Sequence, residues 1–329
     1  MSHAAKSTIA VAMAVAISFA PQPAAAADPE QIVDALNTVF GKHKVRSSGA
    51  KGQCVVGRFT PTGDARTLTK SASFQKPVPV LGRFSMGGGN PKAPDTAKAL
   101  VRGFAFKLDP GGTGTSEFVM VNAPVNFAKT PAQMLGFLQA RYPGPDGKQD
   151  PEKIKAFATA NPETTRQGAW LASKPLPASY VGVSYWGIHA YTMTNAANKT
   201  QLMKFVLVPT GGEAGLTDDE AKSKPADFLV AELTDRIARK APAGFDVMAI
   251  LGQAGDPTND PTMTWPDEDK RRTVKLGTIA ITAIEKNETC DAGIFDPTNL
   301  ADGLAGPKDD PMFLPRQPAY AISQGRRVN

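Results

Sequence analysis

Eight segments rich in β-branched and aromatic residues run through the chain, at 54–60, 78–85, 99–108, 117–121, 181–194, 201–208, 247–251 and 274–285. Each is bounded by turn signals, among them Gly87-Gly88-Gly89-Asn90-Pro91, Pro110-Gly111-Gly112 and Asn195-Ala196-Ala197-Asn198. Links of hairpin length dominate, so the pairs read as antiparallel. An eight-stranded antiparallel barrel disposes of every exposed edge, and it is the architecture this pattern predicts. Helical periodicity occupies the rest. Asp28-Pro29-Glu30 opens an amphipathic helix that carries Ile32, Val33, Leu36, Val39 and Phe40 as far as Gly41. Two helices, 131–141 and 152–160, follow the fourth strand and are parted by Pro-Gly-Pro-Asp-Gly at 143–147. A helix over 217–240, N-capped by Thr217 and broken at Pro225, follows the sixth. The class is α+β: a barrel with inserted and flanking helices. No repeat or linker divides residues 28–329, which read as one domain.

Residues 1–27 have the form of a secretory signal. Lys6 supplies the positive start, residues 9–20 are apolar, Pro21 and Pro23 break the run, and Ala24 to Ala27 offer small residues for cleavage. The run is too short for a permanent membrane span, and no cysteine follows it to carry a lipid. The mature chain is expected in the periplasm or secreted, with no membrane anchor. An even pair of cysteines, Cys54 and Cys290, favours one disulfide there over two buried thiols. The net charge of +6 is spread along the chain, which gives no nucleic-acid footprint.

Several chemistries are excluded by what is missing. No Gly-x-Gly-x-x-Gly opens a helix, no phosphate loop occurs, and neither Cys-x-x-Cys nor His-x-x-x-His is present. Beyond His3 in the signal, the only histidines are His43 and His189, and no Gly-x-Ser-x-Gly elbow accompanies them. The C-terminus is more informative. Asp310, Arg316, Tyr320 and Arg327 form the pattern Asp-x5-Arg-x3-Tyr-x6-Arg. A helix over 316–320 puts Arg316 and Tyr320 on one face. A guanidinium against a phenol favours the phenolate, a hard anionic ligand suited to ferric iron.

With that block in view, the chain resembles the haem catalases, and among them the small exported catalase-related peroxidases. The likeness runs from about Phe40 to Arg327. Phe295-Asp296-Pro297, with Gly303 after it, is similar to the family's approach to the proximal side of the haem. Tyr185-Trp186-Gly187-Ile188-His189-Ala190-Tyr191 resembles the strand that sets a histidine behind the proximal arginine. Leu81-Gly82-Arg83-Phe84-Ser85 resembles Val-Arg-Phe-Ser, Arg102-Gly103-Phe104-Ala105-Phe106-Lys107 resembles a barrel strand, and Arg46 to Gly52 resembles Arg-x-x-His-Ala-x-Gly. The resemblance implies haem b with Tyr320 as iron ligand and a proximal relay of Arg316, His189 and Asp310. It also implies propionate partners in Arg46, Arg83 and Arg327, with Ser85 on the distal side.

Two departures are specific to this chain. Gly49 stands at the family's distal histidine, and Val121 at its distal asparagine. Asn122 is one residue late, which on a strand means the opposite face, and Asn126 falls where the family often has an aromatic. A placed general acid–base contributes about 10²- to 10⁴-fold to such chemistry. The expectation is a peroxidase that reduces hydrogen or organic peroxides with an external small-molecule donor, catalase activity being weak or absent. A non-catalytic haem binder on the same fold is the alternative. His43, Lys51 or a bound water are candidate substitutes for the missing imidazole.

Overall fold

The computed structural model describes residues 27–328. Helix α1 (Pro29–Phe40) starts in a capping box, Asp28 accepting from the first turn and Gln31 reaching back to the Asp28 N–H, and it stops at Gly41 with φ +85°. Strand β1 (Gly52–Pro61) leads through a short helix α2 (Gly63–Leu68) to β2 (Val78–Met86), β3 (Arg102–Leu108) and β4 (Ser116–Val121). Three helices follow, α3 (Pro131–Gln139), α4 (Pro151–Ala160) and α5 (Arg166–Ala172). The chain returns to sheet with β5 (Leu176–Pro177), β6 (Tyr185–Trp186), β7 (Tyr191–Thr194), β8 (Thr200–Pro209) and β9 (Gly215–Leu216). After α6 (Asp218–Ser223) and α7 (Phe228–Ala238) come β10 (Gly244–Leu251) and β11 (Thr273–Ile284). The last elements are α8 (Asn287–Asp291), β12 (Leu304–Ala305) and α9 (Arg316–Val328).

The neighbours β10, β11, β1, β2, β3, β4, β6 and β8 pair antiparallel in that order, and β10 pairs back onto β8, so eight strands close a barrel. The fold class read from the sequence is confirmed. Strand alternation gives this wall two different surfaces. Phe84 lies opposite Phe104 in the β2–β3 ladder, and Phe104 opposite Met120 in β3–β4. These residues point inward with Phe106, Phe118, Tyr185 and Phe245 to fill the barrel, with Phe84 and Phe104 stacked at 4.3 Å. The intervening positions Arg83, Ser85, Gly103, Ala105, Val119 and Val121 face outward, toward the helical layer. There α1 packs on α3, with Ile32 and Leu36 against Leu138, and α9 lies alongside α1.

Residues 181–194 do not form the single strand that their apolar run predicts. Between the pairs Trp186↔Val206 and Tyr191↔Met203, four residues (187–190) face two on the partner (204–205). The surplus leaves the ladder as a bulge, and His189 is carried on it. Pro225 does divide its helix, and Thr217 does cap the first half through a capping box with Glu220. Helices α2 and α5 were not anticipated; both are too short to show a period. Helix α9 tolerates Pro318 because the first turn needs no N–H there. Cys54 and Cys290 are bonded. The signal read in residues 1–27 lies, apart from Ala27, outside the described residues. Among those described, no helix is long and apolar enough to cross a membrane.

Candidate active site

A cavity of about 320 Å³ lies between the outer face of β2–β4 and helices α1, α3 and α9, within the range of ligand and cofactor sites. It gathers every candidate cofactor-binding and relay residue named from the sequence except Asp310, which stands one contact behind. Arg46, Arg83, Ser85, His189, Arg316, Tyr320 and Arg327 all line it, as do Gly49 and Val121.

On the α9 side the polar groups form one directional chain. Arg316 donates from Nε (3.0 Å) and Nη2 (2.7 Å) to Tyr320 Oη. Its Nη1 lies 2.9 Å from His189 Nε2. A guanidinium can only donate, so Nε2 accepts, and the imidazole proton is on Nδ1. That proton is donated to Asp310 Oδ2 at 2.6 Å, while Asp310 Oδ1 accepts from Met312 N–H at 2.8 Å. Burial holds His189 below the usual imidazole range, opposed by the Asp310 hydrogen bond and reinforced by Arg316, and a neutral ring is what the geometry requires. Burial works against the charge of Arg316, yet the Tyr320 oxygen, with Tyr191 and Asp310, keeps it above the ordinary guanidinium value.

At another edge of the cavity three guanidiniums meet. Arg83 donates to the carbonyls of Gly49 (2.7 Å) and Ala50 (3.1 Å). Arg46 Nη2 donates to Cys290 O (2.7 Å) and Gly293 O (3.2 Å) and lies 3.2 Å from Asp291 Oδ1. Arg327 Nη2 approaches the carbonyls of Asp291 and Gly293, both at 3.5 Å. Burial, and then the neighbouring Arg46, push Arg83 down to about 10. Burial lowers Arg46 as well, and burial and then Arg46 lower Arg327. Nε of Arg46 and Nε of Arg83 are buried with no hydrogen-bond partner. Three desolvated cations against one carboxylate, with donors to spare, make an anion site.

The facing wall carries no ionisable substitute for the missing imidazole. Gly49 has φ +65°, and a Cβ built there would lie 3.3 Å from Ser85 Oγ. Val121 faces the cavity. Asn122 turns away, its Oδ1 accepting from Arg102 N–H at 2.7 Å, as the alternation argument required. Two of the proposed substitutes are corrected. His43 is tied through Nε2 to Gly89 O at 2.6 Å and is absent from the lining. Lys51 points to Asp95 (2.7 Å) and to the carbonyls of Ala93 and Ala226, also off the cavity. The polar groups left here are the hydroxyls of Ser47, Ser48 and Ser85 and the amides of Asn126 and Gln167. Asn126 donates to Ala128 O and Gln167 to Val125 O, both at 2.8 Å, which leaves their amide oxygens as acceptors. Gln167 and Asp291 were not foreseen; only the position of Asp291 beside Cys290 could have drawn notice.

The catalase family model matches residues 31–329. The chain belongs to the catalase family. It is 38% identical over 91% of its length to a catalase-related peroxidase of Synechococcus elongatus, covering 88% of that protein. A catalase-related peroxidase of Mycolicibacterium paratuberculosis is 32% identical over 90% of the chain and 93% of the relative. Among solved structures, catalase A of Saccharomyces cerevisiae superposes with a TM-score of 0.76 at 24% identity, and a fungal catalase with 0.77 at 23%. The chain spans about 60% of these two longer proteins, covering 61% and 60% of them. The haem that the family implies fits the residues present. The phenol of Tyr320 faces the cavity under two charged donors, and the unpartnered Nε groups of Arg46 and Arg83 suit a dicarboxylate.

Proposed function

We propose that the chain is a haem-dependent peroxidase of the catalase-related type. It reduces hydrogen peroxide or organic hydroperoxides with electrons from a small-molecule donor and has little catalase activity. The observation that carries this reading is the directional chain Asp310–His189–Arg316–Tyr320 opening on the cavity. Haem b is the cofactor; when bound, it supplies the iron that accepts peroxide oxygen and passes electrons on from the donor. The net change is ROOH plus two electrons and two protons giving ROH and water, the donor losing the two electrons.

The protein's part follows from its own groups. Tyr320 Oη would hold the iron, under the two N–H donors of Arg316. His189, kept neutral, fixes the guanidinium plane by accepting at Nε2, and Asp310 fixes the imidazole tautomer. Arg46, Arg83 and Arg327 would hold the propionates through charge-assisted hydrogen bonds. Val121 and the α1–α3 side of the cavity, with Ile32, Leu36, Phe127 and Met134, exclude water and accept an apolar peroxide substituent. Ser85 and the amide oxygens of Asn126 and Gln167 can orient a peroxide O–H but cannot carry its proton at neutral pH. That neutrality is the observation favouring the second reading, a haem binder without turnover.

A secretory signal at 1–27 and a periplasmic or secreted address belong to the same reading, supported by the disulfide. The test is stopped-flow absorbance of the haem-loaded protein mixed with hydrogen peroxide and then with cumene hydroperoxide. A fast Soret change that a reducing donor reverses is the expected result. Bleaching with no earlier change would leave only the binding function.

A further inference from the structure

Two of the three propionate-side arginines, Arg46 and Arg327, are held by one short stretch of backbone, residues 290–293, while Arg83 is held by the carbonyls of Gly49 and Ala50. The carbonyl of Cys290 takes Arg46 Nη2 at 2.7 Å, and that of Gly293 takes Arg46 at 3.2 Å and Arg327 at 3.5 Å. Asp291 offers its carbonyl to Arg327 at 3.5 Å, and its carboxylate lies 3.2 Å from Arg46 and 4.0 Å from Arg83. Because these contacts engage Nη2 of Arg46, its Nε is left without a partner in the buried cluster. Where Arg46 aims is therefore decided by where residues 290–293 are.

Two tethers besides the arginines act on that stretch: the disulfide, and a hydrogen bond from Gln324 Nε2 to Ala292 O at 2.9 Å. Helix α8 has five residues, and Cys290 is its only buried one. A helix of that length has no stability of its own. Its start is tied by Asn287, which accepts from Cys54 N–H at 2.8 Å, but its end carries the arginine ligands and is fixed by the bond from Cys290 to Cys54. Cys54 lies opposite Arg83 in the β1–β2 ladder, on the outward face. Around the bond pack Phe295, Leu81, Ala105 and Val119. The bond thus joins the strand next to Arg83 to the segment that holds Arg46 and Arg327.

We infer that the Cys54–Cys290 disulfide, with Asp291, positions Arg46 and Arg327 for the haem propionates, so that retention of the haem depends on this bond. The inference rests on the haem-binding reading. It assigns the cysteines a task at the site rather than general stapling of the fold.

The test measures loss of haem to excess apomyoglobin, followed in the Soret band. Wild type, Cys54→Ser/Cys290→Ser and Asp291→Asn are loaded in parallel with haem b and with haem b dimethyl ester, which lacks both carboxylates. For the double variant, haem b is expected to leave about tenfold faster, the size of one lost charge-assisted hydrogen bond. The dimethyl ester is expected to leave at the wild-type rate. Asp291→Asn should show the same selectivity with a smaller change, and it keeps the test alive if the double variant does not fold. Equal acceleration for both porphyrins would mean general loosening and would overturn the inference, as would unchanged loss of haem b. Slower loss from Asp291→Asn would show a carboxylate competing with the propionates, and would remove Asp291 from the positioning role. Wild-type protein that takes up neither porphyrin would instead overturn the haem reading itself.

Discussion

Asp310→Asn tests the proximal chain most sharply, because it changes no volume and removes one charge. Asp310 accepts twice, from His189 Nδ1–H at 2.6 Å and from Met312 N–H at 2.8 Å. A carboxamide offers one accepting oxygen. If that oxygen faces His189, its NH₂ meets the Met312 N–H, donor against donor. If the oxygen faces Met312, the NH₂ meets Nδ1, so His189 must move its proton to Nε2, which then faces the Arg316 donor 2.9 Å away. No arrangement satisfies all members. Both Asp310 and His189 side chains are only 1% exposed, so water does not relieve the conflict. One buried donor left unpaired costs about 1–3 kcal/mol. Loss of the counter-charge to buried Arg316 brings the total toward the 3–5 kcal/mol typical of a broken buried pair. We expect about 3 kcal/mol less stability in urea denaturation of the haem-free protein. Asp309→Asn, a control at an exposed site bonded only to Thr258, should cost under about 0.5 kcal/mol. A loss at Asp310 as small as the control's would refute a directional chain.

Tyr320→Phe removes the acceptor of two Arg316 donors and the proposed iron ligand; the haem-loaded variant should lose the tyrosinate-type spectrum, and an unchanged one would put the iron ligand elsewhere. Gly49→His places a β-carbon in the left-handed region at φ +65°, so about 1–2 kcal/mol of stability should be lost. The folded variant should react with hydrogen peroxide about 10²-fold faster in stopped flow, and no gain would count against Gly49 as the distal position. Burial lowers His189 in the folded state, so below about 6.5 the unfolded chain binds a proton that the folded one refuses. Stability should then fall with acidification by at most about 1.4 kcal/mol per pH unit from this group. Urea midpoints between pH 5 and 7.5 check this; a flat profile would mean that folding leaves the proton affinity of His189 unchanged, and stability falling as the pH rises would mean that the ring is charged in the fold.

The sequence made Arg316 and Tyr320 legible because their contact is local, four residues apart on one helix. Asn122 was legible for a similar reason: strand alternation alone turns it from the cavity. His189 is 127 residues from Arg316, and only family resemblance connects them. Its bulge was invisible because the surplus of two residues is defined against the partner strand β8, while the apolar run itself continues unbroken. The errors over His43 and Lys51 arose from trusting nearness in sequence. Each is within a few residues of the distal segment, but backbone carbonyls and Asp95 outside the cavity supply their partners. Asp291 was missed because its contact with Arg46 joins opposite ends of the chain.

The two sides of the cavity have been treated differently by this sequence. On the α9 side each group fixes the next, so charge and tautomer are over-determined. On the barrel side φ +65° at Gly49 suits glycine, and the polar groups left are hydroxyl or amide. Disproportionation needs a second hydrogen peroxide to surrender its protons as well as its electrons, which calls for a distal base. Reduction by a separate donor shares the first proton transfer, on the incoming peroxide, but not this second one, since the donor can bring protons with its electrons. Under the proposed function, the apolar α1–α3 side would favour a hydroperoxide whose substituent it can bury, by about 25 cal/mol per Å². Under the proposed function, then, the glycine is the change that moves a catalase framework toward peroxidase work, and the intact proximal chain is what keeps it an oxidant-handling site.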